Sequence, residues 1–182
     1  MIISFLIGAK VVLRPVERED VSYVQKWVND PEIRKYWTTL GGLGTVPGTG
    51  EMVEDYINEL SNGKNIGLII QEKGSSRPIG LVSLLDIDWV NKKAMLEIAI
   101  GEKGRQHKGL ATEAVKLVLG YAFKTLSLNR IWLGLYEENK VSLKLYDRTG
   151  FAVEGVLLED LYREGHYQNR LVMGLLRRNW RD

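Results

Sequence analysis

The stretch LEIAIGEKGRQHKGLATEAVKLV, from Leu96 to Val118, constrains the fold more than any other part of the chain. It reads as a strand over Leu96 to Ile100, a glycine-punctuated basic turn over Gly101 to Gly109, and a helix with apolar or small residues at Leu110, Ala111, Ala114, Val115, Leu117 and Val118. A strand that feeds such a helix returns to the sheet through a right-handed crossover, so the next strand, Asn129 to Leu135, must run parallel to the first. A helix opening just after a glycine-rich turn presents unpaired backbone N–H groups and the positive end of its dipole. With Lys103, Arg105, His107 and Lys108 in the same turn, this is an anion site, and the matching anion is a phosphate or pyrophosphate.

Spacing narrows the phosphate ligand. Gly104 and Gly109 are followed by Leu110 and Ala111, where a nucleoside-triphosphate loop needs Lys and then Ser or Thr. The G-x-G-x-x-G of a dinucleotide fingerprint is also absent, and the turn is too long for it. What remains is Gln106-x-x-Gly109-x-Ala111 between a strand and a helix.

Composition removes several classes of function. Lys+Arg 25 against Asp+Glu 23 is too balanced for a dedicated nucleic-acid binder. There is no cysteine, which excludes a disulfide framework, a thiolate nucleophile and a zinc-thiolate site, and the two histidines, His107 and His166, lie far apart, so no metal is expected. The apolar N-terminal run MIISFLIGAK lacks the basic head, length and cleavage site of a signal peptide, and no window approaches a membrane span. The expectation is a cytoplasmic, single-domain protein over its 182 residues, with 1–9 as a leader or extra strand and a solvated basic tail over 177–182.

In chain order, Lys10 to Arg14 is a short β pattern and Val21, Val24, Trp27 and Val28 form a helical stripe stopped at Asp30-Pro31. A short helical piece, Glu32 to Trp37, precedes a glycine-rich loop over 41–50, read as a connector or a lip over an acceptor pocket. Glu51 to Leu60 is amphipathic, with an acidic face of Glu51, Glu54, Asp55 and Glu59. Asn65 to Gln71, Ile79 to Asp86 and Ala94 to Ile100 make an antiparallel meander. After the crossover come a helix from Asn139 to Arg148 closed by Gly150, then strands Phe151 to Leu157 and Gln168 to Leu176 joined by a turn at Glu164 and Gly165. The fold class is α/β: one mixed sheet of about six to seven strands, an antiparallel meander plus a parallel central pair, flanked by about four helices.

A second constellation is Asn139-x-x-Ser142-x-x-x-Tyr146-x-x-x-Gly150-Phe151. Asn139 falls at a helix start, where its side chain can cap free N–H groups, and Tyr146 returns to the same helical face about two turns on. Together, Gln106-x-x-Gly109-x-Ala111 and this stretch resemble the Q/R-x-x-G-x-G/A and N-x-x-S/A-x-x-x-Y-x-x-x-G-F signatures of the GCN5-related N-acetyltransferase (GNAT) superfamily. The resemblance runs from about Val11 to Leu176 and is nearest the branch of RimJ/RimL-type ribosomal-protein alanine N-acetyltransferases and bacterial spermidine N-acetyltransferases.

The resemblance implies direct transfer of an acetyl group from acetyl-coenzyme A to a primary amine, either a protein N-terminal α-amine or, alternatively, a polyamine or other small amine. A coenzyme A-binding sensor without catalysis is the competing class, and a homodimer is left open. In that model Arg105, Gln106, His107, Lys108, Gly109 and Leu110 hold the pyrophosphate mainly by backbone, with Arg105 and Lys108 as charge partners, and Ala111, Thr112, Asn139 and Ser142 are further coenzyme A-binding positions. The resemblance also implies that the parallel central pair is splayed. The pantetheine arm lies in the gap beside Ile98, Ala99 and Ile100, whose strand's free N–H groups polarise the thioester carbonyl, and Tyr146 returns a proton to the departing thiolate. Tyr36 and Trp37 would meet the acceptor. A base matters most for high-pKa amines: only roughly one lysine-like amine in 2,500 is neutral at pH 7, against roughly one α-amine in seven. Glu97 is the candidate, acting through a water; Glu154 and Glu159 are less well placed.

Overall fold

The computed structural model describes residues 6–37, 47–163 and 165–181. Its strands are β1 (Leu6–Ile7), β2 (Val11–Pro15), β3 (Ile66–Glu72), β4 (Pro78–Asp88), β5 (Lys93–Ile100), β6 (Arg130–Tyr136), β7 (Ala152–Arg163) and β8 (His166–Leu176). They form one sheet in the order β1-β2-β3-β4-β5-β6-β8-β7. The α-helices are α1 (Val21–Asn29), α2 (Pro31–Arg34), α3 (Gly50–Glu59), α4 (Leu110–Gly120) and α5 (Lys140–Arg148). The architecture is the expected one, with an eighth strand because the N-terminal run contributes the two-residue β1, and with the short helical piece realised as the one-turn α2 that Pro31 starts.

β3 and β4 are buried along almost their whole length, as strands covered on both faces are. Their side chains alternate between two cores. Leu68, Ile70, Val82 and Leu84 pack with α4 and with Tyr146 of α5, whereas Ile69 and Leu81 pack with Val24, Trp27 and Val28 of α1 and Val53 and Ile57 of α3. The helices therefore lie on opposite faces of the sheet.

All neighbouring strands pair antiparallel except β5 and β6. The parallel pairing covers only Lys93↔Arg130, Ala94↔Ile131 and Met95↔Trp132. Beyond it β5 stays with β4 to Ile100, and β6 stays with β8 to Tyr136, so the two halves of the sheet part. This V-shaped gap is the splay that the family resemblance implies. It leaves one edge of β5 without strand partners on the β6 side.

Three departures from the sequence reading have local causes. The crossover helix does not stop near Val118 but runs to Gly120 and into a π turn, Tyr121–Thr125. The terminal hairpin is longer than expected, because bulges at Val153/Gly155 and Leu157/Leu161 let β7 keep pace with β8 up to the turn at Gly165. The C-terminal tail is not simply solvated: Arg177 and Arg178 are exposed, but a 3-10 turn over Arg177–Asn179 seats Trp180 against Phe123, with centroids 5.5 Å apart.

At the N-terminal end, Leu6–Ile7 pairs with β2, and residues 1–5 of the expected leader or extra strand lie outside the described residues. Lys10 N donates to Glu113 Oε1 at 2.8 Å and ties this hairpin to the first turn of α4. The glycine-rich loop lies mostly outside the described residues. At its far end Gly48 is held by Asn29, whose Oδ1 accepts from Gly48 N at 2.8 Å while its Nδ2 donates to Gly48 O at 2.9 Å. Gln25 Nε2 adds a third bond to the same carbonyl at 3.2 Å, and Thr49 Oγ1 caps α3 by accepting from Met52 N.

Candidate active site

The chain leaves β5 at Gly101, where a Cβ would stand 2.1 Å from the Trp27 ring; only glycine lets that indole pack flat on the turn. Gln106 folds back and donates through Nε2 to Ile100 O at 3.0 Å. His107 and Gly109 adopt φ of 60° and 78°, a left-handed backbone that costs glycine nothing and brings the chain round to the first turn of α4. Gly109 is the N-cap and offers no side chain, so the leading N–H groups of α4 have no protein cap. A cavity of about 330 Å³ lies before them. It is lined by Arg105, Gln106, His107, Gly109, Leu110, Ala111 and Thr112 from this turn, and by Lys144 and Arg148 from α5.

The cleft continues along the splayed edge of β5 as a second chamber of about 330 Å³, which shares Ile100, Gln106, His107 and Ala111 with the first. Ile98, Ala99 and Ile100 form one wall, Asn139 and Ser142 the other, and Tyr36 and Trp37 a third side. Asn139 Oδ1 accepts from Ser142 N at 3.1 Å, so the capping role expected of it sets the start of α5 at the cleft wall.

At its inner end the cleft narrows to about 40 Å³ between the parted strands, where Glu97, Tyr146, Trp37, Asn139, Ser142 and Gly134 meet. That volume accommodates about one water. Glu97 and Tyr146, far apart in sequence, thus face one small chamber. Tyr146 is buried, packs edge-on against Phe151 at 5.5 Å, and has its pKa raised by burial first and by the nearby Glu97 carboxylate second. Glu97 is itself buried, and its Oε2 accepts from Tyr56 Oη of α3 at 3.3 Å. Burial, then the charge of Glu97, pushes the Tyr56 hydroxyl well above the usual tyrosine range, so it remains a donor.

At the rim, Tyr36 stacks edge-on against Tyr136 with centroids 6.0 Å apart, and Arg163 lies over both rings at 5.7 Å. Lys103 is drawn away from the anion cavity by Asp30 and Glu32, each at 3.0 Å. Arg105 lines the cavity while its Nε pairs with Glu72 at 2.9 Å. Lys108 is exposed and lines neither chamber, because the positive-φ turn at His107 and Gly109 carries its side chain outward. Glu154 is engaged by Arg130 and lines none of the three chambers. Sequence reasoning missed Tyr56, Lys144 and Arg148. The last two were accessible as part of the Val141, Lys144, Leu145, Arg148 stripe at helical spacing.

This arrangement fits an acyl thioester of coenzyme A. An uncapped helix N-terminus with flanking cations suits a pyrophosphate, an unpaired strand edge can bond amide groups of an extended arm, and the arm's end would lie between a carboxylate and a protonated phenol. Among the described residues no cluster of three or more His, Asp or Glu side chains could hold a metal ion, and no helix is long and apolar enough to cross a membrane.

Comparison with known proteins agrees with this geometry. A family model described as an acetyltransferase (GNAT) domain matches residues 10–152. The spermidine N(1)-acetyltransferase of Escherichia coli (strain K12) is 33% identical over 163 residues, covering 90% of this chain and 84% of that protein. A crystal structure of spermidine N-acetyltransferase from Vibrio cholerae, in complex with CoA and spermine, superposes with a TM-score of 0.84 at 27% identity, covering 94% of this chain and 98% of that one. The putative ribosomal N-acetyltransferase YdaF of Bacillus subtilis is 35% identical, but over only 101 residues, or 56% of this chain and 55% of that protein.

Proposed function

This chain belongs to the GNAT acetyltransferase family and is an acetyl-CoA-dependent N-acetyltransferase, and we propose that its acceptor is a polyamine of the spermidine and spermine class, acetylated at a primary amine. The observation that carries the reading is the likeness to spermidine acetyltransferases over nine-tenths of the chain, in sequence and in fold. The likeness to a ribosomal N-acetyltransferase covers little more than half, which favours the polyamine over the protein N-terminal α-amine. A second support is chemical. A polyamine nitrogen is almost wholly protonated at neutral pH, so its acetylation needs a built-in base, and a buried carboxylate stands at the inner end of the cleft.

Acetyl-CoA, when bound, supplies an activated acyl carbon and a thiolate leaving group. Backbone N–H groups at the start of α4, with Lys144 and Arg148, hold its phosphates, and Asn139 and Ser142 flank its arm. Glu97 removes a proton from the acceptor ammonium, directly or through one water, and frees the lone pair for attack. Tyr146 gives its proton to the sulfur as the C–S bond breaks and the C–N bond forms, then regains one from the acetylated nitrogen. Two protons leave nitrogen per turnover: one ends on the thiol, and the other reaches solvent through Glu97. The raised Tyr146 pKa keeps that proton in place beforehand.

Thiol release from acetyl-CoA tests the assignment, with spermidine and spermine set against a peptide bearing a free N-terminal alanine. The polyamines should give the higher kcat/KM. A peptide preferred over both would overturn the acceptor assignment.

A further inference from the structure

Trp37 is the last described residue before the glycine-rich loop, and it is 7% exposed. Its Nε1 is buried and has no hydrogen-bond partner among the described residues. Other indoles in this protein do not share that condition: Trp27 Nε1 donates to Glu102 Oε1 and Trp89 Nε1 to Gly63 O, each at 3.2 Å. A buried indole N–H can only donate, so it bears its full desolvation penalty until an acceptor atom arrives.

The position of Trp37 restricts what that acceptor can be. It lines both the wide chamber beside Ile98, Ala99 and Ile100 and the narrow chamber that holds Glu97 and Tyr146, so it stands where the two join. The acceptor amine arrives as an ammonium, which is a donor, and its freed lone pair is committed to carbon. Tyr146 retains its proton. The hydrogen-bond acceptor that the reaction itself brings to this junction is the carbonyl oxygen of the thioester, which gains negative charge as the C–N bond forms.

We propose that the Trp37 indole N–H donates to the thioester carbonyl oxygen and is a side-chain member of the oxyanion-stabilising set, beside the unpaired edge of β5. The donor is desolvated in the free enzyme, so no reorganisation is needed during the chemical step. The inference rests on the acetyl-CoA-dependent activity and not on which amine is the acceptor.

The test replaces Trp37 with β-(3-benzothienyl)alanine, which keeps the bicyclic shape and substitutes sulfur for N–H, with Trp37→Phe as a second variant. The carbonyl stretch of acetyl-CoA labelled with carbon-13 at the thioester carbon is read by isotope-edited infrared spectroscopy on the binary complex, with no amine present. In the unmodified enzyme the band should lie at lower wavenumber than in either variant. kcat should fall about 10- to 100-fold in both, with the Kd for acetyl-CoA within about twofold. An unmoved carbonyl band overturns the proposal, as does a loss confined to acetyl-CoA affinity, which would place the N–H on an amide of the pantetheine arm, or one confined to the KM of the amine. The binary complex contains no amine, so a mistaken acceptor assignment leaves this result untouched.

Discussion

The two sides of the cleft are built by different means. The donor side is a matter of backbone: positive φ at His107 and Gly109, an uncapped α4, and a β5 edge left bare where the sheet parts. The proposed acceptor side is a matter of side chains from elements distant in sequence, with Tyr36 following α2, Tyr56 on α3, and Tyr136 and Arg163 on two strands of the other half-sheet, while Trp37 stands where the two sides join. Backbone devices bind what every acetyl donor shares. Side-chain devices can be exchanged one at a time, and in the proposed reaction they would decide which amine is served.

That contrast can be broken most sharply at Tyr146, which belongs to the donor side yet acts on the chemistry of both. Tyr146→Phe should lower kcat about 100-fold or more with acetyl-CoA KM within about twofold, measured by steady-state thiol release. Unchanged turnover would reduce Tyr146 to a core aromatic packed on Phe151. A backbone lesion should do the reverse. Gly109→Ala forces a Cβ into a left-handed residue, at a cost of about 1–2 kcal/mol, although the space itself is open, with Lys10 Nζ the nearest atom at 3.9 Å. Acetyl-CoA KM should rise about 3- to 10-fold, with amine selectivity unaltered across a panel of acceptors.

Tyr56→Phe sharpens the comparison from the acceptor side. Without the 3.3 Å bond to Glu97 the base loses a fixed orientation, so kcat/KM for a polyamine should fall about 3- to 10-fold. For an α-amine peptide, which depends less on the base, the same variant should change it by less than about twofold. Equal losses for both acceptors would show Tyr56 to be packing alone. The smallest effect concerns alkaline stability. Tyr146 and Tyr56 both hold their protons above the usual tyrosine value of about 10, so the stability they contribute is full below that pH and lost as the pH rises beyond it. Thermal unfolding followed from pH 8 to about 11.5 should decline less steeply in the two phenylalanine variants than in the parent.

The same contrast accounts for what was legible in the sequence. Glycine spacing, a capping asparagine and a crossover helix are local signals, and they yielded the strand-turn-helix, the Asn139 cap and the parallel pair, whereas only the family resemblance joined Glu97 and Tyr146 in one centre. Charge near the turn misled for the complementary reason. Proximity in sequence does not direct a long side chain, and Lys103 and Arg105 are taken up by carboxylates on other elements while Lys108 faces outward. Tyr56 lies on the face of α3 opposite its acidic residues, with Met52, Val53 and Ile57, but what that face covers depends on how α3 is held. That is settled by Asn29 and Gln25 reaching Gly48, contacts between residues 19 and 23 positions apart that no helical or strand period announces. Trp180 was hidden among arginines for the same reason.

The three bonds that hold Gly48 to α1 have a further consequence. The chain is buried at Trp37 and moored again at Gly48, so the glycine-rich stretch between is bracketed by two posts that belong to the rest of the fold. Such a bracket works like an interchangeable cassette mount. Descendants of this sequence could lengthen, shorten or rewrite the insert while α3, Tyr56 and the reacting groups keep their places.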